Sequence, residues 1–391
     1  MTKKTNKPLH VGLVVPHIFM QDVVLPHVIF SPAQLALSLA HELVEQGLNV
    51  TLYTPGAVTT SAKNITADLG LFQQELDGRG DTYIDLLKKH PATFIALARQ
   101  VQSELVARAF ADANNNELDI VHIYTNEEDI ALPYAQLCNK PVVFTHHDPF
   151  NFLIRYKNNF PKYKHLNWIA LSEAQKKSMP PDTNWVATIH HGLPSGQLRP
   201  VKAPTNDYIA YLGRIVEPKG VHVAIAAVQQ YNQGNNTKLK LKIAGKHYSG
   251  HAKDTYWQDS IKPQLGSAIE YVGHIDNKAD KQTFLGNAKA LMIPSLFEEP
   301  FGMVMIEALA CGTPVIGLNS GAISEVIKDG ETGVLVDKST EAETIQALAD
   351  AIDQVNNINR QDCRADFETR FTASRMANDH IAAYKWLLKD N

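Results

Sequence analysis

Short apolar runs alternate with longer stretches of helical periodicity along the whole chain. The run Val11–Val15 is typical of a buried strand, and Asn49–Tyr53 repeats the pattern. Between them, leucines recur at helical spacing from Ser31, the predicted N-cap, to Gly47, where the helix is predicted to end. Strands that alternate with helices in this way predict a mostly parallel sheet covered on both faces.

Two sets of strands are predicted, one in each half of the chain. The first set continues over Ile120–Tyr124, Val142–Thr145, Trp168–Leu171 and Val186–Ile189. The second set is Tyr208–Leu212, Leu239–Ala244, Ile269–Val272, Ala290–Ile293 and Pro314–Gly317, followed by a helical end over roughly Thr340–Lys389. Pro194–Asn206, which contains three prolines, separates the two sets and is the predicted linker. The economical fold is two doubly wound α/β domains with a cleft between them.

The bulk composition restricts the class of protein. A chain of 391 residues with 44% hydrophobic and 20% charged residues is typical of a globular protein with two domains. A formal net charge of −4 argues against nucleic acid as a partner. Three scattered cysteines form no disulfide framework, and no apolar run reaches the length of a signal peptide or membrane span. We therefore expect a cytoplasmic protein.

The stretch Ser295–Ile316 contains the most informative chemistry of the chain. Glu299 lies in a loop that ends at Gly302, and Glu307 follows eight positions after Glu299 on the predicted helix. The start of a helix presents unpaired N–H groups and partial positive charge, which suit a phosphate. Two carboxylates beside such an anion site can accept hydrogen bonds from sugar hydroxyls. The pattern therefore indicates a ligand with both phosphate and hydroxyl groups, such as a nucleotide sugar.

A second element is predicted at the same edge of the second sheet. Gly213-Arg214-Ile215 follows the strand Tyr208–Leu212, and Ser295–Gly302 follows the strand Ala290–Ile293. Ligands of doubly wound sheets bind beyond the carboxyl ends of the strands. Both stretches are therefore expected to contribute to one site.

These residues resemble the retaining glycosyltransferases of family 4. Gly213–Gly220 is similar to the Gly-Arg-x4-Lys-Gly element of that family, and Glu299 to Glu307 matches its Glu-x7-Glu motif. Ala308–Ile316 and Ser324–Leu335 match the flanking patterns, so the resemblance covers about residues 205–340. The first half is less similar, because the loop Pro16–His27 lacks the glycine pair that often follows the first strand.

The resemblance implies a GT-B fold and assigns roles to particular residues. Residues 1–197, joined by a C-terminal helix at about 373–391, would form the acceptor domain, and residues 198–372 the donor domain. Arg214 and Lys219 would hold the diphosphate, Glu299 the sugar hydroxyls and Glu307 the ribose. The remaining donor-binding residues would be Gly213, His274 and Ile275 near the base, and the backbone of Phe301, Gly302 and Met303. His147, after the strand Val142–Thr145, would lie near the reacting sugar, and the fold typically needs no metal and no cofactor.

Two stretches of the first half allow alternative interpretations. Residues 155–177 combine six basic residues with Tyr156, Phe160, Tyr163 and Trp168. A solvated face is the favoured interpretation, and contact with anionic lipid or a phosphorylated acceptor is the alternative. Asp68–Asp81, with Gly78 and Gly80, is predicted to be a mobile loop.

The predicted activity is retaining transfer of a sugar, of the hexosyltransferase type, from a nucleoside diphosphate to an acceptor hydroxyl. Glu299 and Glu307 are not interpreted as a glycosidase acid and nucleophile, since sequence spacing cannot establish the required distance of about 5 Å. A sugar phosphorylase or epimerase on the same scaffold is one alternative. A non-catalytic nucleotide-sugar binding protein is another. The nucleobase, the sugar, the acceptor and the oligomeric state are left open by the sequence.

Overall fold

The protein folds into two compact units. The structure is a computed structural model that describes residues 7–25, 30–124, 128–247 and 255–389 of the chain. The first unit comprises Met1–Leu171, Lys176–His190 and Ala373–Asn391, and the second comprises Ser172–Gln175 and His191–Thr372. The change of unit after His190 precedes the proline-containing stretch that marks the boundary in the sequence.

A parallel sheet of short, largely buried strands forms the centre of the first unit. Its strands are β1 (His10–Val14), β2 (Asn49–Thr54), β3 (Lys63–Thr66), β4 (Ile120–Tyr124), β5 (Val142–Thr145), β6 (Asn167–Ala170) and β7 (Trp185–Thr188). Their order in the sheet is β3-β2-β1-β4-β5-β6-β7. The central strands β4 and β5 are buried along their whole length, which explains why their sequences are continuous apolar runs.

Helices flank this sheet and bury their apolar stripes. They are α1 (Ser31–Glu45), α2 (Gly70–Arg79), α3 (Tyr83–Lys89), α4 (Pro91–Asn114) and α5 (Ile154–Asn159). The short helix α6 (Glu173–Lys176) follows, and most of its residues belong to the second unit. The 3-10 turns Glu128–Ile130, Leu132–Leu137 and Phe160–Tyr163 complete the connections. The prediction of Ser31 as N-cap is wrong by one residue, because the helix includes Ser31 and Phe30 precedes it without a side-chain cap.

The predicted mobile loop Asp68–Asp81 is largely helix α2, so that prediction is wrong. Phe72 and Leu76 are four residues apart and both are buried, which fixes one face of α2 against the unit. Gly80 has φ +67° and forms the left-handed C-cap. Gly80, one of the two glycines on which the loop prediction was based, therefore ends a helix.

The second unit has a parallel sheet with the same order of strands. Its strands are β8 (Tyr208–Leu212), β9 (Lys240–Ala244), β10 (Ile269–Gly273), β11 (Ala290–Ile293), β12 (Val315–Leu318) and β13 (Gly333–Val336). The sheet order is β10-β9-β8-β11-β12-β13. The chain moves outward from β8 to β10 and then returns to the centre at β11. The chain therefore leaves β8 and β11 towards opposite sides of the sheet, and the carboxyl ends of these two neighbouring strands form its switch point.

The helices of the second unit and the returning C-terminal helix follow in chain order. They are α7 (Val221–Asn235), α8 (Lys278–Gly286), α9 (Met303–Ala310), α10 (Ile323–Val326), α11 (Glu341–Gln354), α12 (Arg360–Arg370) and α13 (Ala373–Leu387). Shorter turns lie at Glu217–Lys219, Tyr256–Ile261, Lys262–Gln264 and Val355–Asn357. A reciprocal capping box between Thr340 and Glu343 starts α11. Two parallel sheets with flanking helices confirm the predicted pair of doubly wound α/β folds.

The C-terminal helix α13 belongs to the first unit, where it packs against α1. Buried polar rings attach it to the sheet. His122 on β4 is 2.7 Å through Nδ1 from the Tyr384 hydroxyl and 2.8 Å through Nε2 from Thr145 Oγ1. The His380 ring lies 5.5 Å from that of His122, and its Nδ1 is 2.8 Å from the carbonyl oxygen of Met376.

These two buried histidines predict a loss of stability in acid. Burial lowers the pKa of His380 to about 4, and burial followed by the charge of His380 lowers the pKa of His122. The unfolded chain therefore binds more protons than the native one below pH ~6.5, so stability should fall as the pH drops towards about 4. Each histidine should lower the free energy of unfolding by up to about 1.4 kcal/mol for each pH unit of acidification. Urea denaturation over this range should show a steeper pH dependence for the unmodified chain than for His380→Phe.

The exposed His165 offers a matched control for that comparison. The variant His165→Gln should keep the pH dependence of the unmodified protein. An equally steep loss of stability in His380→Phe would show that the buried ring of α13 does not determine the acid response.

Candidate functional site

The turn after β8 holds the predicted cations Arg214 and Lys219. Its first residue, Gly213, donates to the carbonyl of Ala244 at 3.1 Å, and Ile215 donates to the carbonyl of Lys246 at 2.9 Å. The buried Tyr211 hydroxyl donates to the carbonyl of Arg214 at 3.0 Å. These bonds fix the turn to the carboxyl end of β9. The Arg214 side chain is exposed, and its guanidinium has no hydrogen bond or ion pair within the described part of the chain.

The loop after β11 places Glu299 against Lys219. Glu299 is 6% exposed, and its Oε1 accepts hydrogen bonds from Lys219 Nζ at 2.5 Å and Ser295 Oγ at 2.6 Å. The second oxygen, Oε2, accepts no hydrogen bond from residues 7–25, 30–124, 128–247 or 255–389. Lys219 Nζ also lies 4.7 Å from the centre of the Phe297 ring. An ammonium has three donors, so Lys219 can bond to a ligand while it keeps Glu299.

The two loops contact each other directly through their backbones. Leu296 N–H donates to the carbonyl of Pro218 at 2.9 Å. Gly220, with φ +69°, lies so close to Pro294 that an added Cβ would be 2.0 Å from its carbonyl oxygen. The structure therefore brings the predicted cationic and acidic elements together at the switch point of the second sheet.

Helix α9 starts beside this pair. Gly302 is its N-cap residue with φ +91°, and no side chain caps the helix. The Met305 N–H donates to the Gly302 carbonyl at 3.1 Å, whereas the N–H groups of Gly302 and the half-buried Met303 are available to an anion. The Phe301 side chain is 2% exposed and packs against the rings of His191 and Phe371, with centroids 5.0 and 6.3 Å away. The packing of the Phe301 ring therefore holds the loop before α9 in place.

Glu307 is also held by a lysine. It is 7% exposed on α9, and its Oε1 accepts from Lys281 Nζ on α8 at 2.8 Å. Neither Lys281 nor Ser295 was predicted as a site residue. The sequence indicates only that a carboxylate near the start of a buried helix needs a charged or hydrogen-bonding partner. Sequence spacing does not identify which residue that partner is.

His274 and Ile275 follow β10 at the edge of the same sheet and are half-buried. His274 Nε2 is 2.7 Å from Asp276 Oδ1. Burial and the charge of Lys246 lower the pKa of His274, and Asp276 opposes this change. Two strand spacings of about 4.8 Å each separate β10 from β8. These residues can therefore extend the site sideways from the Arg214–Lys219 turn.

His147 belongs to the first unit and follows β5, as predicted. Its ring packs edge-on against the Tyr124 ring, with centroids 4.5 Å apart. The preceding His146 is fully buried among the rings of Phe150, Tyr156 and Phe160. His146 is therefore a core residue, and His147 is the half-buried histidine at the strand end.

Within the four described ranges, no group of three or more His, Cys, Asp or Glu side chains is arranged to hold a metal ion. No helix formed by these residues combines the length and the apolar character that crossing a bilayer requires.

Known proteins are similar to this chain in sequence. The family model described as glycosyl transferases group 1 matches residues 198–369. Glycogen synthase of Mycobacterium tuberculosis is 32% identical over 209 residues, 51% of this chain and 49% of that protein. The chain thus spans about half the length of that relative. Phosphatidyl-myo-inositol mannosyltransferase of Propionibacterium freudenreichii is 26% identical over 342 residues, 83% of this chain and 80% of that protein.

Solved structures show the fold over nearly the whole chain. Sucrose-phosphate synthase of Thermosynechococcus elongatus has a TM-score of 0.73 at 18% identity, covering 98% of this chain and 100% of that one. Anabaena HepE in complex with UDP-glucose has a TM-score of 0.64 at 16% identity, covering 98% and 99%. These likenesses confirm the predicted GT-B fold. Residues 198–369 match the model of the glycosyl transferases group 1 family, which confirms the resemblance carried by Gly213–Gly220 and Glu299–Glu307.

Proposed function

We propose that the protein is a retaining glycosyltransferase that moves a sugar from a nucleoside diphosphate to an acceptor hydroxyl. The main support is the Lys219–Glu299 ion pair, with 2.5 Å between Nζ and Oε1. This pair joins the two loops of the switch point, and the loop of Glu299 leads into the uncapped start of α9. Cations and free N–H groups suit a diphosphate, and a carboxylate with one unused oxygen suits a sugar hydroxyl.

Each group has a defined part in the proposed reaction. The bond between the anomeric carbon and the diphosphate oxygen breaks, and a bond to the acceptor oxygen forms on the same face. Negative charge develops on the β-phosphate, where Arg214, Lys219 and the N–H groups at Gly302 and Met303 stabilise it. The acceptor proton passes to the leaving diphosphate. Oε2 of Glu299 accepts from a hydroxyl of the donor sugar and orients it.

Other predicted roles extend this assignment. Glu307, oriented by Lys281, would accept from the ribose hydroxyls, and His274 with Ile275 would contact the base through the backbone. His147 is proposed to bind near the reacting sugar. The charge stabilisation comes from the protein itself, so we propose a reaction that needs no metal and no cofactor. The three cysteines are free, which supports a reducing compartment such as the cytoplasm.

The first test is a thermal-shift screen of UDP-, GDP- and ADP-sugars. HepE was solved in complex with UDP-glucose, which makes UDP-sugars the first donors to test. At a hundredfold excess over its Kd, a donor should stabilise the native state by about 2.7 kcal/mol and raise the unfolding midpoint by several degrees. At least one class of donor should do so in the presence of EDTA.

The product of the shifting donor then distinguishes the alternatives. Proton NMR should show transfer to an acceptor with the anomeric configuration of the donor. A shift without turnover over a broad acceptor panel would support a binding protein instead. Release of sugar 1-phosphate that depends on phosphate would support a phosphorylase. No shift with any nucleotide sugar would contradict the assignment of the site.

A further inference from the structure

The first unit exposes three consecutive large apolar side chains at the start of α5. Phe152, Leu153 and Ile154 are 55%, 39% and 81% exposed. We call these three residues the apolar tip. Other exposed large apolar side chains in the described ranges, such as Leu71 and Ile95, are separated from one another along the chain. A contiguous exposed apolar patch indicates an interaction surface, whereas single exposed residues do not.

The exposed apolar surface in the structure differs from the one that the sequence indicated. The aromatic residues Tyr156, Phe160 and Trp168 of the stretch 155–177 are at most 3% exposed and form part of the core of the first unit. They cannot contact a partner while the unit is folded. The apolar tip, which lies just before that stretch, is the accessible apolar surface.

The surroundings of the apolar tip are basic in a protein of net charge −4. Residues 149–172 contain four Lys and Arg residues, and the acids Asp148 and Glu173 border this range. Arg155 pairs with Asp129 at 3.7 Å, and Lys164 pairs with Asp182. Lys157 and Lys162 are exposed and form no ion pair within the described ranges. Two lysines without a countercharge in the described ranges therefore follow the apolar tip along the chain.

The helical geometry puts one of these lysines beside the tip. Ile154 and Lys157 are three residues apart on α5, so their side chains share one side of the helix. Lys162 follows in the 3-10 turn Phe160–Tyr163. When Ile154 enters the boundary of a bilayer, the ammonium of Lys157 can thus stay at the level of the lipid phosphates.

We propose that the apolar tip, with Lys157 and Lys162, docks this protein on an anionic membrane surface. Burial of apolar side chains and attraction of lysines to anionic headgroups are the two contributions that attach a protein to a membrane interface. Three side chains are far short of the roughly 800 Å² per partner of a stable protein interface. A bilayer is therefore the favoured partner, and this docking is independent of the donor site in the second unit.

Co-sedimentation of the full chain with vesicles tests the proposal. Vesicles of phosphatidylcholine with phosphatidylglycerol should bind the protein severalfold better than phosphatidylcholine alone, and added salt should remove this preference. Phe152→Ser with Ile154→Ser should weaken binding about tenfold. Lys157→Gln with Lys162→Gln should weaken binding to the anionic vesicles to a similar extent.

Leu71→Ser with Ile95→Ser is the matched control, since these side chains are 52% and 53% exposed elsewhere in the unit. This variant should bind like the unmodified protein. Equal sedimentation of the unmodified protein with and without anionic vesicles would overturn the proposal. Full binding by the folded tip variant would also overturn it, because the tip would then not be needed for attachment to the membrane. The salt dependence of the unmodified protein keeps the test decisive if a variant fails to fold.

Discussion

Replacing Lys219 by alanine should lower kcat/KM by about 10²- to 10³-fold, equivalent to about 3–4 kcal/mol of lost transition-state stabilisation. The reason is the position of its ammonium, which is fixed 2.5 Å from Glu299 and beside the free N–H groups of α9. A preorganised cation of this kind stabilises the charge that develops on a departing diphosphate. Steady-state kinetics with the donor identified by thermal shift would measure the loss.

The same substitution should also destabilise the second unit. Glu299 is 6% exposed, and without Lys219 its carboxylate keeps only the hydrogen bond from Ser295. An uncompensated buried charge typically costs about 3–5 kcal/mol. Adding Glu299→Gln to Lys219→Ala removes that charge and should restore much of the stability. Turnover should stay low in the double variant, which separates the catalytic effect from the structural one.

Arg214 allows a simpler comparison with Lys219. Its side chain is exposed and unbonded within the described ranges, so Arg214→Ala should leave the unfolding midpoint unchanged while it lowers turnover. Lys240 provides the matched control, since it pairs with Glu270 at the same 2.5 Å but starts β9, far from the carboxyl edge. Lys240→Ala should change neither the unfolding midpoint nor the turnover appreciably. Normal turnover in both Lys219→Ala and Arg214→Ala would remove the cations from the mechanism.

The sequence was sufficient for the strands that position the site. Tyr208–Leu212 and Ala290–Ile293 were predicted with the bounds that the structure has, because buried central strands are continuous apolar runs. Once these strands are parallel neighbours, the loops after them must meet at one edge. The meeting of Gly213–Gly220 with Ser295–Gly302 was therefore predictable from pattern alone.

The partners within the site were not predictable in the same way. The bonds Lys219–Glu299 and Lys281–Glu307 join residues 80 and 26 positions apart, and no local spacing encodes them. The edge strand β3 was also missed, because its half-buried residues Lys63–Thr66 form no apolar run. The burial of Tyr156 depends on packing around His146 that composition does not reveal.

The close packing of Gly220 leads to the second large effect. Gly220 has φ +69°, where an alanine costs about 1–2 kcal/mol. Its added Cβ would also be 2.0 Å from the Pro294 carbonyl oxygen, a backbone atom that cannot rotate away. One of the two loops must then move. Gly220→Ala should therefore lower the free energy of unfolding by about 3 kcal/mol in total, measured by urea denaturation.

The displacement should also reduce activity, because Gly220 follows Lys219 and Pro294 precedes Ser295. A shift of one loop against the other lengthens the Lys219–Glu299 contact and moves both groups relative to a bound donor. Gly234→Ala is the matched control in α7, the helix that Gly220 precedes, and nothing lies within 4 Å of a Cβ added there. That variant should gain up to about 1 kcal/mol from helix propensity and keep full turnover. If Gly220→Ala matched Gly234→Ala in both stability and turnover, the close contact between the two loops would not be what holds the site together.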